Sequence, residues 1–138
     1  MIHLFHMIIT NIFSLSITGE IMKTAIVTDT NSGITVEEGR AEGIYVIAMP
    51  VVIDGECYFE GVDITNGQLY AALKNDRNVS SSQPSPGDVM ELWDAIFKEG
   101  YDEIVYIPMS SGLSGSCHSA AQFAMEYGGK VPLPLPVC

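Results

Sequence analysis

The chain has 138 residues, 47% of them hydrophobic, enough to bury one sizeable core but short for two ordinary domains. Seventeen acidic against six basic residues leave a formal charge of −11, which repels a polyphosphate backbone and offers no basic face to an anionic membrane, so nucleic acid and stable membrane insertion are not expected. A small anion held at contact distance by neutral donors is still admissible, because distant surface charge is screened within about 8 Å at physiological salt.

Met1 to Ile21 is apolar without Lys or Arg, and Thr10, Asn11, Ser14 and Ser16 interrupt it. It makes a poor membrane span, and it lacks the basic opening and small-residue cleavage site of a secretory signal. The first strand signal, Thr24 to Thr28, follows Met22-Lys23. Residues 1–21 are therefore expected to be an upstream extension, with Met22 as the natural start of a lobe running to residue 129.

After that strand, Asp29-Thr30-Asn31-Ser32-Gly33 reads as a polar loop. Thr35 to Glu42 offers a short helix with Thr35 as cap and acids in its first turn, weakened by Gly39. Ile44 to Ile53 is almost wholly apolar, and Pro50 divides it into two strand pieces. Asp54-Gly55 then turns the chain into a short return strand, Glu56 to Phe59. A helix from Thr65 to about Lys74 places Leu69, Tyr70 and Leu73 on one face.

Ser85-Pro86-Gly87-Asp88 is the strongest helix start in the sequence, with a serine cap, proline in the first turn and an acid three residues after the cap. The helix it opens carries Val89, Leu92, Trp93, Ile96 and Phe97 as a core stripe and ends at Gly100. Glu103 to Met109 is a second clear strand, and a helix to Tyr127 follows the loop after it, closed by Gly128-Gly129. Repetition of strand, polar loop and helix predicts an α/β lobe with a parallel sheet between two helical layers. Residues 130–138 alternate proline with aliphatics and are expected to form an irregular tail. Cys57, Cys117 and Cys138 have neither zinc spacing nor an even count, and they read as incidental residues of a reducing, cytoplasmic protein.

Two segments carry the chemistry, Ser80-Ser81-Ser82-Gln83-Pro84-Ser85 and Ser110-Ser111-Gly112-Leu113-Ser114-Gly115-Ser116. Each precedes a predicted helix, and the second also leaves the C-terminal end of a strand, the edge where open α/β sheets bind ligands. Hydroxyls, backbone N–H groups and the positive end of a helix together favour an anion without Lys or Arg. One helix end contributes only about 0.3–1 kcal/mol, so several donors must converge. A serine-rich loop can equally be only a cap and a turn. A serine-hydrolase reading through Ser114 is weaker, because Ser116 stands where a nucleophile elbow requires glycine and nothing marks an acid to orient His118. No phosphate-loop or dinucleotide fingerprint is present.

These residues resemble the DegV family. The likeness runs through Ile26 to Thr30, Gly43-Ile44 to Pro50-Val51, Tyr58 with Gly61 to Thr65, Ser81 to Asp88, Gly100 to Ile104 and Ser110 to Gly115. It implies a protein that buries one long-chain fatty acid between two α/β lobes and presents its carboxylate to a separate ATP-dependent kinase subunit, which makes the acyl phosphate. The chain itself would then be no enzyme, and no cofactor or metal is implied. By motif position, Ser81, Ser82, Ser110 and Ser111 would hold the carboxylate, with Ser114 and Asp29 as secondary candidates. The same resemblance implies that a second lobe should follow where the proline-rich tail stands, so an inactive fragment is the remaining alternative beside the Ser114 esterase.

Overall fold

A computed structural model describes residues 21–109, 112 and 114–133. Three strands, β1 (Thr24–Asp29), β2 (Ile44–Ile47) and β6 (Glu103–Ile107), form a parallel sheet in the order β2-β1-β6. The central strand is buried along most of its length, including Ala25, Val27, Thr28 and Asp29, as expected of a parallel strand covered on both faces.

The helices supply that cover. Helix α3 (Pro86–Lys98) is capped by Ser85, and its Val89, Trp93 and Ile96 pack with Ala25, Val27, Ile104 and Tyr106. Ala120 of α4 (Ser116–Ala124) and the partly buried Tyr45 close the same core. Because strand side chains alternate in direction, Val46 points to the opposite face, where it meets Gly39 of α1 (Val36–Glu42). Thr35 and Glu38 make a reciprocal capping box at the start of α1. The lobe is therefore the expected sandwich of a parallel sheet between helical layers.

A second, antiparallel sheet was not expected. The apolar run from Ile44 to Ile53 divides as Pro50 suggests, but its halves enter different sheets: β2 lies in the parallel sheet, while β3 (Pro50–Ile53) pairs with β4 (Glu56–Phe59) and β5 (Val79–Ser81) in the order β4-β3-β5. Asp54 and Gly55 both have positive φ, 52° and 91°, the backbone that a tight two-residue hairpin demands. Val51, Ile53, Ile64 and Ala72 form a small satellite core under α2 (Asn66–Lys74).

Three further details depart from the sequence reading. Strand β6 stops at Ile107 rather than Met109, since Pro108 has no N–H for the ladder. On α2 the buried residue is Ala72, while Tyr70 and Leu73 remain 67% and 50% exposed. The packed lobe also continues past residue 129: Ile104 donates its N–H to Lys130 O at 2.9 Å, Val131 is buried and Leu133 packs against the core. Cys57 is a free, exposed thiol, and Cys117 is buried. Of residues 1–21, only Ile21 is among those described, and it is 92% exposed.

Candidate functional site

The chain leaves β1 toward β2 on one side, while β6 lies on the other side of β1. Connections that diverge in this way open a crevice at the C-terminal ends of the two strands, the usual ligand position in such sheets. Thr28, Asp29 and Thr30 stand at that end of β1, and all three are buried.

Each of the three holds a different neighbour. Thr28 Oγ1 donates to Ile107 O at 2.9 Å, fixing the last residue of β6. Asp29 Oδ1 accepts Asn31 N–H at 2.9 Å, and its Oδ2 accepts Met109 N–H at 3.2 Å. Thr30 Oγ1 accepts Met49 N–H at 3.1 Å and donates to Glu60 Oε2 at 3.0 Å. Burial pushes the Asp29 carboxyl above its ordinary value and the Glu60 charge adds to this, against the two backbone hydrogen bonds that pull it down. With 1% of its surface exposed and both oxygens bonded to backbone, Asp29 ties the end of β1 to the exit of β6.

Of the serines singled out by sequence, Ser81 ends β5 and is exposed, as is Ser82, whose N–H donates to Pro50 O at 3.2 Å. Ser114 is half-buried, and its Oγ accepts Ser116 N–H at 3.1 Å. Ser110 and Ser111 lie outside the described residues. The described parts of the two loops approach one another through Gln83. Its Oε1 is 3.5 Å from Ser119 Oγ in α4, and a methyl at Gly115 would stand 3.7 Å from that same oxygen. No described hydrogen bond joins Ser114 to His118, so the esterase reading gains no contact between nucleophile and base.

The helix ends differ in a way that bears on ligand binding. Helices α1, α2 and α3 are capped by the side chains of Thr35, Thr65 and Ser85, whereas Gly115 gives α4 no side-chain cap. In the first turn of α4, Ser116 Oγ is buried without a hydrogen-bond partner among the described residues, a rare condition for a native hydroxyl. Sequence reasoning passed over Thr30, Gln83 and Ser116. Thr30 read as a turn residue, and the crowding of serines around Ser116 was the one available signal.

A hollow of about 390 Å³ opens beside Thr30 and Glu60, lined on its apolar side by Ile34, Leu69, Tyr70 and Leu73. The exposed stripe of α2 thus faces a recess rather than the core. Among the described residues no helix is long and apolar enough to cross a membrane.

Residues 23–134 match the family model described as "Uncharacterised protein, DegV family". A DegV domain-containing protein of Mycoplasma pneumoniae is 41% identical over 99 residues, covering 69% of this chain and 33% of its own length. Among solved structures, a DegV family protein from Thermus thermophilus, described by its fatty acid binding, superposes with a TM-score of 0.72 at 26% identity, over 82% of this chain and 40% of that one. DegV of Bacillus subtilis, described as a fatty acid binding protein, gives 0.70 at 29% identity over the same shares. The chain spans about a third of the length of the curated relatives it matches. With the family model covering most of the chain, this protein belongs to the DegV family.

Proposed function

We propose that the chain binds a long-chain fatty acid, its carboxylate held by serine hydroxyls at the N-terminus of α4, whose N-cap residue Gly115 has no side chain to offer. Ser81, Ser82 and Ser114 are the contributing residues, with Ser110 and Ser111 in the same role by motif position. The observation that carries this reading is the contrast among helix ends: of the four described α-helices, the one that receives the second serine loop is the one whose N-cap residue makes no side-chain hydrogen bond, its first N–H being met instead by Ser114 Oγ. An N-terminus of that kind accepts an anion. The description of the Thermus and Bacillus relatives as fatty acid binding points to the same anion.

Neutral donors suit such a ligand. Affinity comes chiefly from the acyl chain, at about 0.8 kcal/mol per buried CH₂, while the hydroxyls fix the head. A carboxylate held by hydroxyls rather than neutralised by Arg or Lys keeps its nucleophilicity. It can then be presented, in the cytoplasm, to a separate ATP-dependent kinase subunit that forms the acyl phosphate, with no chemistry done by this chain.

Calorimetric titration with stearate and with octadecan-1-ol tests the reading. Stearate is expected to bind more tightly, and Ser81→Ala and Ser82→Ala each to weaken it about tenfold, in line with hydrogen bonds to a charged group. Equal affinity for the acid and the alcohol, or none for either, would overturn it.

A further inference from the structure

We infer that Thr30 is a positioning residue that sets the first serine loop, while its neighbour Asp29 sets the start of the second. The two loops hang from different sheets, one from β5 of the antiparallel sheet and the other from β6 of the parallel sheet. Independent sheets can shift against each other, so two loops that act on one ligand need a common anchor. The end of β1 supplies it.

The connection to the first loop can be followed bond by bond. Thr30 Oγ1 accepts Met49 N–H at 3.1 Å. Met49 leads directly into Pro50, whose carbonyl accepts Ser82 N–H at 3.2 Å. One hydroxyl at the end of the parallel sheet is thereby two hydrogen bonds from a loop serine on the other sheet. Thr30 Oγ1 is itself oriented, because its proton goes to Glu60 Oε2 at 3.0 Å and leaves its lone pair for Met49. The adjacent Asp29 holds Met109 N–H at 3.2 Å at the exit of β6. Asp29, the last residue of β1, and Thr30, the residue after it, thus reach both loops, and Gln83 meets Ser119 across the gap. Thr30 is buried to 8% exposure, so it acts through Met49 and Pro50 rather than on the ligand.

The inference rests on the fatty-acid reading for its consequence, though the connection itself can be tested without a ligand. Amide hydrogen exchange on the 138-residue protein is expected to quicken about tenfold at Ser82 in Thr30→Val, which keeps the volume and loses the hydroxyl, and to return to normal in Thr30→Ser. The Ile104 amide, bonded to Lys130 O, is the control and should not change. Where the valine variant fails to fold, Thr30→Ala is read in the same way. In titrations, Thr30→Val should weaken stearate about tenfold, leave octadecan-1-ol unchanged and add nothing in a Ser82→Ala background. Exchange that rises equally at Ser82 and Ile104, or a stearate loss additive with Ser82→Ala, would overturn the inference. A wild type that ignores stearate while the Ser82 amide still responds to Thr30→Val would instead overturn the binding reading and leave the connection standing.

Discussion

Gly39 of α1 lies so close to Val46 of β2 that a methyl group in its place would run into Val46 Cγ2 and stand 2.8 Å from Ile44 O. The glycine is therefore the condition for α1 to lie flat on the sheet. Its φ is ordinary for a helix, so what it supplies is space. Gly39→Ala improves intrinsic helix propensity by about 1 kcal/mol, yet it is expected to lower stability by a net 1–3 kcal/mol through overpacking. Urea denaturation followed by circular dichroism distinguishes the two: a midpoint that rises would show that α1 can move away from Val46 without loss.

Trp93 is the only tryptophan in the chain and is fully buried, edge-on to Tyr106 and Tyr127. Its Nε1 has no hydrogen-bond partner among the described residues. Trp93→Ala should cost about 3–5 kcal/mol. Trp93→Phe should cost much less, about 1 kcal/mol, because losing an unsatisfied donor offsets part of the lost packing. Circular dichroism melts of both variants check this, and equal losses would contradict it.

Ser85 Oγ accepts Asp88 N–H at 3.1 Å and caps the helix that carries Trp93. Ser85→Ala is expected to lower stability by about 1 kcal/mol and Ser85→Asp to restore most of it. Denaturant midpoints at pH 7 measure both, and an unchanged midpoint in the alanine variant would mean that Pro86 and the core hold α3 without the cap.

The buried Asp29 carboxyl titrates above the ordinary value of 3.8. A raised folded-state pKa means that the native state binds its proton more tightly than the unfolded chain does. The associated stability is therefore complete below 3.8 and is lost as the pH rises through the higher folded value. Asp29→Asn turns an amide N–H₂ toward a backbone N–H and is expected to cost about 1–3 kcal/mol. The advantage of wild type over this variant should be largest in acid and narrow toward neutrality. A gap that widens with pH would reverse the sign assigned to Asp29.

Local chemistry made much of this fold legible. Thr35, Thr65 and Ser85 are caps because their hydroxyls reach the N–H three residues on, and that depends on four consecutive residues in each case. The hairpin at Asp54-Gly55 and the break at Pro50 are equally local. What could not be read was how distant pieces pair. Ile44–Ile47 and Pro50–Ile53 look alike in sequence, yet one pairs in parallel with β1 and the other antiparallel with β4 and β5. Val79–Ser81 gave no strand signal because it is a three-residue edge strand with little burial. The paired serine loops and Asp29 were visible as candidates, whereas the backbone bonds that Thr30 and Asp29 make were not, since they reach residues 19 and 80 positions away.

Val131 is buried in the same core as Trp93 and Ile104, and Lys130 O accepts the N–H of Ile104. The proline-punctuated stretch that looks dispensable on paper is in its first residues a stopper for the open end of the hydrophobic layer. A boundary drawn after Gly129, as the glycine pair invites, would uncork that layer. Anyone trimming the protein for expression should keep it through Leu133.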